Sequence, residues 1–327
     1  MSTFKEMLQA SFKSNDTEEW LDVHFTRPIG LVFALFWNKL GVHPNVITIL
    51  SNFLGIGAAY MFYHTDLWHN VAGVVLLMFA NFCDSTDGQM ARLTGKKTLV
   101  GRVLDGFSGD VWFFAIYVAL CLRMMNQFIP GTTVHWGLGI WALAVVAGVF
   151  CHSPQASLAD YYRQIHLFFL KGKSGSELDR SDQQRAIYDS LPKRQWFARL
   201  FYWNYAKYCK SQEKRTPNFQ AFFEAYQNIS GGDAESGNEP SELSAIRAEF
   251  VEGSRPLMKY TNLLTFNSRA ICLYITSLLN CPWVYLLFEI LVLTVLYVHM
   301  HSRHEQLSKN MLGKLNFWNS ECKTKFA

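Results

Sequence analysis

Six stretches of this sequence, near residues 45–64, 70–91, 104–126, 135–156, 260–280 and 283–301, are apolar over a length that crosses a membrane. A hydrocarbon core of about 30 Å needs about 20 helical residues, and a chain inside it must satisfy its backbone hydrogen bonds within each segment. The pattern restricts the fold to an all-α integral membrane protein with six transmembrane helices. Composition agrees. Half of the 327 residues are hydrophobic (50%) and 17% are charged, while a mean hydropathy near zero requires a substantial water-facing part.

The HTDLW turn after the first span, NQFIPGTTVH after the third and NCPW before the last contain no lysine or arginine. The opposite side collects Lys13, Arg27, Lys39, Arg92, Lys96, Lys97, Arg102, the basic residues of the 171–259 region, and Arg303 with the C-terminal lysines. The positive-inside rule then predicts a multi-pass protein with both termini cytoplasmic, in the inner membrane of a cell. The polar start MSTFKEMLQASFKSND lacks the basic-then-apolar layout of a cleaved signal, so the internal segments are expected to direct insertion.

Ahead of the first span, RPIGLVFALFWNKLG has apolar residues on a helical period and ends in Trp37 and Lys39. This suits a helix lying in the interface before the chain turns inward at Pro44, rather than a buried helix of a soluble lobe. The expected division is a cytoplasmic N-terminus with this interfacial helix over 1–43, a membrane core of four spans over 44–170, a helical cytoplasmic insertion over 171–259, two further spans over 260–302 and a cytoplasmic tail over 303–327. Within the insertion, WFARLFYWNYAKYCK interleaves aromatic and basic residues, which beside membrane spans favours an interfacial helix over RNA binding. NISGGDAESGNEPSEL reads as a mobile linker. The net charge of +4 gives no reason to expect nucleic acid as a partner; membrane lipids are the expected contact. The seven cysteines, Cys83, Cys121, Cys151, Cys209, Cys272, Cys281 and Cys322, are scattered without a CxxC pair, unlike a disulfide framework or a zinc site.

The chemistry gathers where the second span ends. Asp84-Ser-Thr-Asp87-Gly88-Gln-Met-Ala91-Arg92 is followed by LTGKKTLV and then Gly101-Arg-Val-Leu-Asp105-Gly-Phe-Ser-Gly109-Asp110. Carboxylates beside hydrocarbon cost several kcal/mol unless paired or metal-bound, so a set of them there reads as functional. Asp84 and Asp87 share a helix face at i, i+3, and Asp105 on the next span would complete a cluster of hard oxygen ligands for Mg²⁺ or Mn²⁺. Gly88 and Gly101 leave room for a ligand against the helix backbones, Ala91 keeps the face shallow, and Arg92 offers a planar cation suited to a pyrophosphate. A solvated helix end would explain Asp84 or Asp105 singly and explains the set poorly.

These residues resemble the signature of the CDP-alcohol phosphotransferase family, D-x2-D-G-x2-A-R-x8-G-x3-D-x3-D, with Asp84, Asp87, Gly88, Ala91, Arg92, Gly101 and Asp105 matching in type and spacing. Gly41-Val-His-Pro44-Asn45-Val-Ile-Thr48 is similar to the family's entry into its first span, and the likeness covers roughly residues 27–165. The resemblance implies a metal-dependent enzyme of phospholipid synthesis that moves a phosphoalcohol from a CDP-alcohol to a hydroxyl and releases CMP. It implies Asp84, Asp87, Asp105 and a fourth aspartate as metal ligands, Gly88, Ala91, Arg92 and Gly101 around the CDP donor, and a homodimer. The fourth aspartate, to which the family assigns metal binding and deprotonation of the acceptor, falls on Gly109, and the carboxylate present is Asp110. At i+5 it points about 140° from Asp105, where i+4 would give about 40°, so a π-bulge at Gly106 or Gly109 is expected to rotate Asp110 into the site as the catalytic partner of Asp105.

The fourth span ends in a polar run from which His152, Gln155, Asp160 and Arg163 are candidate contacts to the acceptor or its headgroup, with an ordinary wet helix end as the plain alternative. Arg269 and Glu289 lie inside the fifth and sixth spans. Counting from the Cys281-Pro282 turn puts Arg269 roughly 18 Å deep and Glu289 roughly 10 Å deep, so they are not expected to pair, and Arg269 becomes a further candidate for an anionic acceptor or the donor phosphate. The preferred substrates are CDP-diacylglycerol and a small polar alcohol such as inositol phosphate or glycerol phosphate. The alternative is a CDP-ethanolamine or CDP-choline type donor acting on diacylglycerol or ceramide. Outside this class stand a polytopic transporter, which would spread its charges through mid-membrane, and an inactive relative that lost the fourth aspartate.

Overall fold

A computed structural model describes residues 4–12, 14, 16–95, 99–230 and 241–325. Lys13, Lys96 and Lys97, counted above for orientation, and most of the expected linker lie outside these residues, as does the side chain of Arg102. Among the described residues the fold is helical, with no strand beyond one isolated bridge between Phe128 and His135. The helices are α1 (Phe4–Ser11), α2 (Arg27–Lys39), α3 (Pro44–Tyr63), α4 (Leu67–Thr94), α5 (Leu99–Met124), α6 (Gly139–Val145), α7 (Ser153–Lys171), α8 (Ser181–Ser190), α9 (Trp196–Arg215), α10 (Pro217–Ser230), α11 (Ser241–Ser254), α12 (Met258–Leu263), α13 (Phe266–Leu278), α14 (Trp283–Leu287) and α15 (Thr294–Lys325). Single π-turns at Asp22–Thr26, Val146–His152 and Phe288–Leu293 run directly into α2, α7 and α15.

Among the described residues, five helical runs are long and apolar enough to cross a membrane: Pro44–Tyr63, Leu67–Thr94, Asp105–Met124, Gly139–Lys171 and Trp283–Ser320. The chain is an all-α membrane protein, and the outward faces of these runs expose Phe53, Phe79, Phe114, Phe150 and Val295, a surface suited to lipid rather than water. The span expected near 260–280 differs. It breaks at Leu264-Thr265, and α13 retains 13 residues, about 20 Å of helix. Its ends are held by side chains instead of length. Thr265 and Asn267 bond Glu19, Asn267 also reaches Asp22 (3.2 Å), and at the far end Asn280 accepts from Arg123 Nη2 (2.6 Å).

The chain forms two compact units. The first comprises Met1–Gln155 and Leu263–Val295. Its core joins Ala58, Phe62, Leu77, Ala80, Trp112 and Ile116 with Leu273 and Tyr285, so α13 and α14 pack on α3 to α6. The close approach of α3 and α5 depends on Gly55, where a Cβ would lie 2.2 Å from Trp112 Cδ1. The second unit comprises Ala156–Asn262 and Leu296–Ala327, with Phe169 packed among Phe222, Tyr226 and Phe250. The region expected as a helical insertion is helical, as α8 to α11, and α9 exposes Trp196, Phe197, Leu200 and Trp203.

Candidate active site

Asp66 caps the start of α4, whose inward face runs through Gly73, Leu77, Ala80 and Cys83 at helical spacing and continues into Thr86, Asp87 and Met90. The residues that bury the helix therefore also carry Asp87 inward, where it is 3% exposed. Gly95, at φ 68°, ends α4 in the left-handed conformation that glycine adopts without strain. The chain re-enters as α5, and one carboxylate oxygen each from Asp84, Asp87 and Asp105 comes within 4.8 Å of the others.

Asp84 Oδ1 and Asp87 Oδ2 are buried without hydrogen-bond partners, and so are Nε and Nη2 of Arg92. Buried polar groups are almost always satisfied, so four orphaned atoms at one place need a ligand. Three carboxylates fit a hard divalent cation, which Asp84, Asp87 and Asp105 would hold. The free edge of Arg92 fits an anion, and a Cβ on Gly88 would meet nothing nearer than Arg92 Nη1 at 3.5 Å.

The N-terminal segment completes one wall. Gln89 Nε2 donates to the Arg27 carbonyl (3.1 Å) and Thr86 to that of Gly30 (3.3 Å), fixing α2 against α4. Arg27, held by Glu18 through Nε and Nη2 at 3.1 and 3.2 Å, is an electrostatic neighbour of both Asp84 and Arg92. Thr48 stands beside Asp87. Sequence reading missed these two, counting Arg27 only towards orientation. The available signal was the arginine at the head of an amphipathic helix ending just before the matched entry to α3.

The expected bulge in α5 does not form. The helix is continuous over Leu99–Met124, because glycine permits a π-turn without forcing one, and the π-turns lie elsewhere. Asp110 therefore stays outside the three-carboxylate group, and its charge neighbour is His152. At the vacated position there is room, since a Cβ on Gly109 or Gly106 would meet no atom within 4 Å.

The acceptor candidates resolve differently. Arg269 and Glu289 do pair, Nη1 to Oε2 at 2.7 Å, with 1% and 0% of the side chains exposed. Depth counting failed because it placed both charges on straight helix axes, whereas a guanidinium reaches several ångströms from its backbone and Glu289 sits in a π-turn. Arg269 Nη2 donates to Gln155 Oε1 (3.1 Å), whose Nε2 donates to Thr294 (3.0 Å) and to the Glu289 carbonyl (3.2 Å). His152 Nδ1 lies 3.4 Å from Glu289 Oε1 and 3.1 Å from Tyr117 Oη, and Tyr285 donates to the same carboxylate (2.9 Å). His152, Gln155 and Arg269 thus join one internal network rather than facing an open cavity. Asp160 and Arg163 belong to the second unit, where Asp160 accepts from Gln164 (3.3 Å) and Arg163 donates to Asn262 (3.1 Å).

An acidic cluster facing an arginine at the junction of two membrane helices is a site that could hold a divalent metal ion beside an anion. Residues 41–162 match the family model of CDP-alcohol phosphatidyltransferase. It is also similar to the archaetidylinositol phosphate synthase of Pyrococcus horikoshii, 36% identical over 67 residues, which are 20% of this chain. The match spans about a third of that relative's length (34%).

Proposed function

We propose that the chain transfers a phosphatidyl group from CDP-diacylglycerol to a small polar alcohol, inositol phosphate or glycerol phosphate in the first instance, and releases CMP. The observation that carries this reading is the convergence of Asp84, Asp87 and Asp105 beside an Arg92 with unpartnered nitrogens. The match of residues 41–162 to the family model and the name of the archaeal relative support the substrate class. A divalent cation, Mg²⁺ or Mn²⁺, held by the three carboxylates would neutralise the pyrophosphate oxygens and favour attack at phosphorus.

The chain's own residues then have distinct tasks. Arg92 binds the pyrophosphate through its free edge, with Arg27 adding positive charge behind it. Asp105, the exposed member of the cluster, accepts the hydroxyl proton, a role supported by the open space at Gly106 and Gly109. The acceptor oxygen forms its bond to the phosphorus bearing diacylglycerol, the bond to the bridging oxygen breaks, and CMP leaves. The distribution of lysine and arginine supports placing this end of α4 on the cytoplasmic side.

Purified chain supplied with CDP-diacylglycerol or, separately, CDP-ethanolamine, with Mg²⁺ or Mn²⁺ and a panel of acceptors, tests the proposal. CMP release with CDP-diacylglycerol and a polar alcohol is expected. Release only with CDP-ethanolamine and a lipid hydroxyl would reassign the donor. CMP binding without release from any pair would overturn the reading in favour of a non-catalytic relative.

A further inference from the structure

The other end of α4 carries a second group of ligand-type side chains. His64 directly follows α3, Asp66 caps α4 and His69 lies in its first turn. One nitrogen from each imidazole and one Asp66 carboxylate oxygen lie within 4.8 Å of one another. The two rings are 4.2 Å apart, and Nε2 of His64 is buried without a hydrogen-bond partner. His69 Nδ1 stands 2.6 Å from Asp66 Oδ2.

This turn is fixed from beneath. Asn70 Nδ2 donates to the carbonyls of His64 (3.1 Å) and Asp66 (2.6 Å), and its Oδ1 accepts from Arg123 Nη1 (2.8 Å), which also bonds the Phe62 carbonyl (2.8 Å). Tyr60 and Tyr63 set their rings edge-on to His64, each at 5.3 Å. Asp66 and His69 are about half exposed, which leaves an entry path for an ion.

We propose that His64, Asp66 and His69 bind a divalent transition-metal ion of the zinc class at the end of the α3–α4 hairpin remote from the carboxylate cluster. Two imidazoles with one carboxylate are the ligand set of borderline-soft ions, unlike the three carboxylates at the other end, which suit Mg²⁺ or Mn²⁺. Around zinc, neighbouring tetrahedral ligands lie about 3.3 Å apart, so groups that now lie within 4.8 Å of one another need to shift by no more than about 1.5 Å. From Asp66 to Asp87 the helix rises about 31 Å, which puts the two metal sites at opposite membrane surfaces. A bound ion would join the end of α3 to the start of α4 and stiffen the hairpin whose far end carries Asp84 and Asp87.

The test uses full-length protein in detergent, stripped with chelator, with excess Mg²⁺ present, titrated with Zn²⁺ and with Co²⁺. Wild type is expected to retain about one zinc per chain after desalting and to give the visible absorption of tetrahedral Co²⁺ with imidazole ligands. His64→Gln and His69→Gln should each weaken zinc binding by at least about 100-fold, while Asp84→Asn leaves it unchanged. Elution profile and CMP binding establish that the variants are folded, and the exposed His69 decides the matter if His64→Gln is not. Absence of zinc from wild type, its persistence in His69→Gln, or its loss in Asp84→Asn would overturn the assignment.

Discussion

Two polar clusters in the first unit handle charge in opposite ways. Around Arg269 and Glu289 the charges are opposite, the guanidinium and carboxylate meet at 2.7 Å, and Gln155, His152, Tyr117 and Tyr285 join the same network. Around Asp84, Asp87 and Asp105 the charges are alike, and buried oxygens of two of them have no partner. A network that closes on itself holds helices together, whereas one left open within the protein is completed by what it binds. Charge near hydrocarbon is thus a weak guide to function until its partners are known.

The comparison breaks most visibly at the open cluster. Asp84→Asn and Asp87→Asn should each lower CMP release by about 10³-fold, since each removes a ligand charge from the site that organises the pyrophosphate. Neither should unfold the protein, because each relieves repulsion among like charges. Turnover measured beside a melting curve in the same detergent checks both halves, and a variant that loses stability along with activity would mean that the cluster is structural.

At the closed cluster the roles reverse. Arg269→Ala leaves Glu289 buried without its cation and should destabilise the unit by about 3 kcal/mol, read as a lowered melting temperature. Replacing Arg269 and Glu289 together by methionine should recover much of that loss, because no unpaired charge remains. An Arg269→Ala protein that melts normally and shows only a raised acceptor KM would make Arg269 a ligand contact and collapse the distinction.

What the sequence made legible follows from distance along the chain. Asp84, Asp87 and Asp105 fall on two adjacent helices, so helix periodicity and span length brought them together before any coordinates. Arg27 escaped because its approach depends on α2 docking through Gln89 and Thr86, contacts more than fifty residues apart, and Thr48 because it reaches Asp87 from a different helix, α3. The Arg269–Glu289 pair escaped because depth counted along ideal axes ignores both side-chain reach and the π-turn at Phe288–Leu293. The fifth span was legible in hydropathy but not in helix length, since side chains of Glu19, Asp22 and Arg123 hold the ends of α13. His64, Asp66 and His69 were in view as HTDLWH, and passed as a connection because only its lack of basic residues was being read.

The finest distinction concerns one turn of α5. The family signature places an aspartate where this chain has Gly109, and the straight helix keeps Asp110 on the face towards His152 rather than towards the cluster. Because a Cβ at Gly109 meets no atom within 4 Å, Gly109→Asp can restore a carboxylate about 40° from Asp105 without a clash. If Asp105 alone now takes the hydroxyl proton, the added base should raise turnover by about tenfold, below the range of a fully positioned general base. Asp110→Asn should change it by less than about twofold, since general-base catalysis requires reach to the proton and this side chain lacks it. A large loss in Asp110→Asn with no gain in Gly109→Asp would show that α5 rearranges when substrate binds, and would return Asp110 to the chemistry.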